Sequence, residues 1–399
     1  MVDVCLIAEG SYPYVTGGVS TWTNDLIKGL PDLDFAVVQV GHGADDERRA
    51  YERPANLLEA TELDIDPDLD GVPRIDDALP QARVYHSLST GLAGAIGAQA
   101  ADSSGAPLVL TEHGLAWLEA RLGISGCKPK RRPIERRPGE RRGEAVARHA
   151  AATAELARQA YARAHTITTV CRSNARLQQR QGAPVERLRV IENAVAPASA
   201  GSPADTERKA PRVALVGRVV PVKDVETFVR SARLVADELP RAEFVVVGPL
   251  DHDRAYVERC GELVKTLGLA ERLTFAGERD KTSLYEHLDV VVLTSRSEAQ
   301  PLVLLEAMAA GVPAVATAVG GCHELLRGGS ARPAGIVTPV RDPQATADAV
   351  LAICLDEGLR ARLADGGRER ARRQHSPALL LSAYREVYER ALEPLSRAA

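Results

Sequence analysis

The sequence predicts an α/β protein made of two doubly wound domains in tandem. Three observations lead there. Short apolar runs are bounded by turn residues, helix-spaced apolar stretches lie between them, and the alternation restarts after a segment rich in Pro, Ala and Ser near the middle. Buried parallel strands read as continuous apolar runs, and strands alternating with helices imply a parallel sheet covered on both faces. With 399 residues the chain can build two such cores.

Residues 2–8 form the first apolar run and read as a buried strand. A turn-rich stretch through Gly17 and Gly18 follows, then a helix over 19–30 with Val19, Trp22, Leu26 and Leu30 on one side. Strands are expected at 35–40, 83–86, 107–111, 166–171 and 188–191, with helices at 91–101 and 144–164. This first domain covers 1–195, and 196–211 (APASAGSPADTERKAP) has the composition of a linker. The second domain, 212–376, repeats the pattern. Strands fall at 212–216, 243–247, 273–276, 290–294 and 314–317, with helices at 224–239, 255–267, 302–310 and 343–356. A closing helical segment, 377–399, is expected to pack back on the first domain. In paired doubly wound domains, ligands bind at the carboxyl ends of the strands, here across a shared cleft.

Composition narrows the function. The formal net charge of −4 offers no basic footprint for nucleic acid, and aromatic residues make up only 4%. The six cysteines stand singly with no CxxC pair, so neither a zinc site nor a disulfide framework is indicated. No basic leader precedes the first strand and no apolar run reaches ~18 residues, so a cytoplasmic location without membrane insertion is expected. The basic stretch 127–143 reads as a solvated loop, and 62–77 is dense in Asp. Asp66, Asp68, Asp70, Gly71 and Asp77 fall at EF-hand loop positions, but Pro73 and the Asp at position twelve argue for an acidic surface loop. Asp251-His252-Asp253 follows a second-domain strand, and no metal is assigned to it.

The segment with most chemistry is 293–320, LTSRSEAQPLVLLEAMAAGVPAVATAVG. Glu298 lies in the turn after a strand, Gln300, Pro301 and Leu302 open a helix, Glu306 sits inside it and Gly311 ends it. Helix N-terminal amides bind phosphate, and carboxylates accept hydrogen bonds from sugar hydroxyls. Glu306 is flanked by Leu304, Leu305, Ala307 and Met308, so its carboxylate needs a partner. Upstream, GRVVPVKD brings Gly217, Arg218 and Lys223 to a strand–helix turn, where two fixed cations suit a diphosphate. Gly17 and Gly18 permit close backbone approach before the first helix, and LTEHG places His113 at a strand end. His86, Asn193 and Glu324 are weaker candidates: a second strand-end histidine, a hinge residue and a cap.

SEAQPLVLLEAMAAGVP resembles the E-x7-E segment of glycosyltransferase family 4, the retaining enzymes of GT-B fold, and GRVVPVKD resembles that family's G-R-x4-K pattern. The resemblance implies two Rossmann-like domains facing each other across a cleft. It implies that Glu298 contacts the donor sugar, that Glu306 binds the ribose hydroxyls, and that Arg218 and Lys223 hold the diphosphate. It also places His113 near the donor sugar, and implies that domain closure brings Gly18 and His113 onto the donor. The acceptor then attacks on the leaving-group face, so configuration is retained with no cofactor and no metal. The stretches EGSYPYVTGGVSTW, LTEHG and GPLDHDRAYVERC are similar to PelF-like members of the family, which work in bacterial exopolysaccharide synthesis with UDP-glucose.

The expected function is therefore transfer of a hexosyl unit from a nucleotide-diphosphate sugar to a hydroxyl or thiol, with UDP favoured and GDP open. The acceptor, a polysaccharide or a small metabolite, stays open because LAWLEAR (115–121) departs from the PelF-like pattern after LTEHG. Two rival readings remain, a UDP-sugar epimerase of the same fold and a non-catalytic nucleotide-sugar binder. A phosphorylase fits worse, since no segment supplies a cofactor-lysine context. Nothing fixes the oligomeric state, and a homodimer stays open.

Overall fold

The computed structural model describes residues 1–14, 17–41, 50–65, 79–124, 141–197, 210–280, 284–328 and 332–393. Most of the basic stretch at 127–143, the whole EF-hand-like Asp run from Asp66 to Asp77 and most of the segment read as a linker lie outside them. The chain divides into two compact units. Unit 1 contains Met1–Gly126, Arg132–Asn193 and the terminal segment from Leu380; unit 2 is built on Ala194–Leu379. Asn193 is thus the last residue of unit 1 before the chain enters unit 2.

Unit 1 holds a seven-stranded parallel sheet in the order β3-β2-β1-β4-β5-β6-β7. Its strands are β1 (Val2–Glu9), β2 (Phe35–Val40), β3 (Leu57–Leu63), β4 (Ala82–Ser87), β5 (Leu108–Glu112), β6 (Thr166–Thr169) and β7 (Leu188–Val190). Five helices cover it: α1 (Gly18–Gly29), α2 (Leu92–Ser104), α3 (Ala116–Arg121), α4 (Arg142–Arg163) and α5 (Arg172–Gln181). β1 and β2 are almost wholly buried, which is why they read as unbroken apolar runs. β3 escapes the sequence reading because it is an edge strand, LLEATEL, with one buried residue in seven.

Unit 2 holds a six-stranded parallel sheet in the order β10-β9-β8-β11-β12-β13. The strands are β8 (Arg212–Val216), β9 (Glu243–Val247), β10 (Leu273–Gly277), β11 (Val290–Leu293), β12 (Ala314–Thr317) and β13 (Gly335–Thr338). Around them lie α6 (Val225–Glu238), α7 (Arg254–Thr266), α8 (Leu302–Ala310), α9 (Cys322–Arg327), α10 (Pro343–Leu355) and α11 (Glu357–Gln374), and α12 (Pro377–Leu392) follows. α6 shows why these helices form. Val225, Phe228, Val229, Ala232, Val235 and Ala236 recur at helical spacing and are all buried against the sheet. β13, α9 and α11 are additions to the sequence reading.

Sequential order reverses between β1 and β4 in the first sheet and between β8 and β11 in the second. At such a switch point two loops leave the sheet in opposite directions, and a crevice opens at the strands' carboxyl ends. The second sheet's switch point is where the GRVVPVKD and SEAQPLVLLEA segments begin.

Candidate functional site

In unit 2, β8 ends at Val216 and the chain turns through Gly217 and Arg218 into a single 3-10 turn, Pro221–Lys223. Gly217 has φ 153°, and a Cβ on Gly248 at the end of β9 would stand 2.2 Å from the Gly217 carbonyl oxygen. The two loops therefore touch backbone to backbone, and only glycine fits at 248. Asp224 then adopts φ 47° and starts α6. Beside this turn β11 ends, and its neighbour Thr294 donates through Oγ1 to the carbonyl oxygens of Lys223 (3.0 Å) and Asp224 (2.9 Å). Arg296 N–H donates to the Val222 carbonyl at 2.8 Å. These bonds clamp the two switch-point loops to each other.

The clamp brings Lys223 and Glu298 together. Lys223 Nζ donates to Glu298 Oε1, and Ser295 Oγ donates to the same oxygen at 2.6 Å. The side chains of the pair are only 16% and 12% exposed, so solvent screens them weakly. Gly320 completes the seat: with φ 49°, its Cα lies so near the Glu298 loop that a Cβ would fall 1.8 Å from the Glu298 carbonyl oxygen. Gln300 and Pro301 are buried, Pro301 caps α8, and Leu302 opens it. Glu306 is half-buried one turn on, and Tyr285 Oη donates to its Oε2 at 2.5 Å. That hydroxyl is the partner an apolar helix demanded for its carboxylate.

Arg218 is half-buried at the same switch point. His252, in the turn between β9 and α7, feels its charge: burial first and Arg218 second hold the imidazole below its ordinary range. Neither His252 nor Tyr285 stands out in the sequence as a candidate. Both hide in ordinary contexts, one in a helix-capping turn and one in an apolar-flanked turn.

In unit 1, α1 starts directly after Gly17, which is extended at φ 170° with nothing within 4 Å of where a Cβ would stand. Gly17 and Gly18 are exposed, so a ligand can approach their backbone closely. Trp22 on the same helix meets His113 edge to face, with ring centroids 4.5 Å apart. Burial pushes the His113 imidazole down to about 4, so it is neutral at pH 7. Its Nε2 is shielded from solvent and accepts or donates no hydrogen bond among the described residues.

The preceding residue, Glu112, is fully buried. It accepts from Thr90 Oγ1 (2.6 Å), Gln178 Nε2 (2.7 Å) and Tyr161 Oη, and Tyr161 Oη in turn accepts from Trp117 Nε1 at 3.3 Å. Burial raises this carboxyl, and the three hydrogen bonds oppose the rise. Trp117, in the segment that departs from the PelF-like pattern, is thus part of the brace behind His113.

His86 is structural. It is completely buried, and its ring nitrogens sit 2.7 Å from Tyr388 Oη and 2.6 Å from Thr111 Oγ1. The bond to Tyr388 fastens α12 to the sheet of unit 1, and the bond to Thr111 ties β4 to β5. The thiols of Cys5, Cys260 and Cys354 are equally remote from chemistry, since burial pushes them up to about 12. Among the described residues, no cluster of three His, Cys, Asp or Glu side chains is placed to hold a metal ion.

Arg218, Lys223, Glu298 and Glu306 thus gather around one switch point. The family model described as "Glycosyl transferases group 1" matches residues 203–370, and a domain of unknown function, DUF3492, matches 2–76 and 69–186. A D-inositol 3-phosphate glycosyltransferase of Saccharomonospora viridis is 30% identical over 307 residues, which span 74% of this chain and 68% of that protein. This chain belongs to the group 1 glycosyl transferases.

The same-named enzyme of Acidothermus cellulolyticus is 32% identical over 303 residues, where the match spans 71% of this chain and 62% of the relative's length. As a group 1 glycosyl transferase the chain is a transferase enzyme. Its GT-B fold is shared with sucrose-phosphate synthase from Thermosynechococcus elongatus (TM-score 0.74, 20% identity, 97% and 98% of the two chains covered). HepE of Anabaena, solved in complex with UDP-glucose, gives TM-score 0.72 at 17% identity over 98% of this chain and 100% of that one. Among the described residues no helix is long and apolar enough to cross a membrane.

Proposed function

We propose that this glycosyl transferase is a retaining hexosyltransferase whose donor, a UDP-sugar, binds at the switch point of unit 2. The observation that carries the reading is the Lys223–Glu298–Ser295 cluster on the loops after β8 and β11, with Arg218 on the first of these loops and Glu306 on α8 beyond the second. Lys223 and Arg218 balance the charge that develops on the leaving diphosphate, without need of a metal. The first turn of α8 offers backbone N–H groups to phosphate, and its first turn carries no acidic residue to oppose that. Glu298 accepts from sugar hydroxyls, and Glu306 accepts from the ribose diol.

UDP is favoured over GDP by the PelF-like segments, and the UDP-glucose complex of HepE on the same fold supports it. The acceptor attacks on the face of the leaving group, so the acceptor oxygen or sulfur forms the new bond as the anomeric C–O bond to the diphosphate breaks. A β-phosphate oxygen takes the acceptor's proton. His113, neutral through burial, serves as a hydrogen-bonding group toward the donor sugar and not as a proton carrier at pH 7. The name D-inositol 3-phosphate glycosyltransferase borne by relatives supports a small hydroxylated acceptor.

Glu298→Gln and Lys223→Ala should each reduce turnover of a UDP-sugar by ~10³-fold or more, the scale of losing one preorganised charge partner of the transition state. Circular dichroism and melting would show the fold retained, and NMR of the product would show retained anomeric configuration. Near-wild-type rates in either variant would sink the assignment, and conversion of the sugar without an acceptor would point to an epimerase.

A further inference from the structure

Tyr285 belongs to neither segment that marks the donor site, yet it touches Glu306. It lies in the 3-10 turn Tyr285–His287, just before β11, and is 6% exposed. Its ring belongs to the buried apolar cluster that also contains Ala214 and Val216 of β8, Val247 of β9, Val291 of β11 and Ala307 of α8. Packed within that cluster, the ring holds its hydroxyl as a donor aimed at Oε2 of Glu306. Burial raises the phenol further above its ordinary range, so it stays protonated and keeps donating.

We propose that Tyr285 is a positioning residue that holds the Glu306 carboxylate in the plane needed to accept both hydroxyls of a ribose, and so makes the site selective for ribonucleotide donors. This rests on the donor reading above. A glutamate has three rotatable side-chain bonds, and an untethered one gives up rotamer freedom when a ligand fixes it. Tethering one oxygen through Tyr285 removes that loss in advance. A carboxylate has about four lone-pair directions, so the tether leaves acceptor capacity for a vicinal diol. The diol's bonds to it are charge-assisted, and they depend on alignment.

The test is calorimetric titration of the full chain with UDP and with 2′,3′-dideoxy-UDP, for wild type, Tyr285→Phe, Glu306→Gln and the double variant. Wild type is expected to prefer UDP by ~100-fold, the combined effect of two charge-assisted bonds. Tyr285→Phe should weaken UDP ~10-fold while dideoxy-UDP stays within ~2-fold, so the preference falls about tenfold. In the Glu306→Gln background the same change should add nothing, because the coupled pair is already broken. A Tyr285→Phe protein that weakens both nucleotides alike, or neither, would overturn the proposal, as would a further loss in the double variant. Two wild-type results separate the underlying reading from the proposal. No binding of UDP removes the UDP-donor reading, and equal binding of both nucleotides removes the ribose role of Glu306; either takes the proposal with it.

Discussion

Two histidines sit at strand ends in unit 1, and only their surroundings separate their roles. The sequence presents them alike, as VYHSLSTG and LTEHG. His86 has both ring nitrogens engaged in the core, whereas His113 has an Nε2 with no hydrogen bond among the described residues. Both are held neutral by burial, His86 down to about 3 and His113 to about 4, against an ordinary value near 6.5. Between those values the unfolded chain binds protons that the folded chain refuses, so stability rises with pH across the window and is lost as pH falls below about 6.5. Each histidine can contribute a slope up to about 1.4 kcal/mol per pH unit. The melting temperature should therefore drop steadily from pH 6.5 to 5, above the range where ordinary carboxylates titrate. A flat profile over that interval would contradict the buried, neutral assignment.

At the scale of elements, the loops after β8 and β11 act as one part. Thr294, Arg296 and Gly320 hold the backbone that presents Lys223 and Glu298. Gly320→Ala should displace the Glu298 loop, because the new Cβ would meet backbone carbonyls of Glu298 at 1.8 Å and Ala299 at 2.8 Å, and φ 49° is strained for alanine. The expected result is loss of most turnover and a lowered melting temperature, a cost of about 1–3 kcal/mol. Gly261→Ala in α7, where nothing lies within 4 Å, should keep full activity and serves as the control. Full activity of Gly320→Ala would show that the loop can shift without moving Glu298 out of place.

The central strands and the helices that cover them were legible because burial on both faces leaves an apolar signature, as in FAVVQV and VVVL. The elements that were not legible lack it. β3 is an edge strand with exposed charge. α11, EGLRARLADGGRERARRQ, carries little apolar periodicity and three glycines, two of them adjacent at its middle. The candidate site divides in the same way. Glu298, Glu306, Arg218 and Lys223 stand out as charges beside apolar strands. Tyr285 and Ser295 are ordinary residues in sequence and matter only through what the fold sets beside them.

At the scale of the whole molecule, each unit carries its own reversal of strand order, and the residues proposed to bind the donor collect at the one in unit 2. A ligand that binds the folded chain alone stabilises it by RT ln(1 + [L]/Kd), which is ~2.7 kcal/mol at a hundredfold excess over Kd. The most direct measurement is the shift in melting temperature of wild type and Lys223→Ala with UDP-, GDP- and ADP-sugars. A UDP-sugar should raise the wild-type melting temperature by several degrees, with the shift all but lost in Lys223→Ala. An unshifted wild type with every sugar nucleotide, or an equal shift in both proteins, would contradict the account.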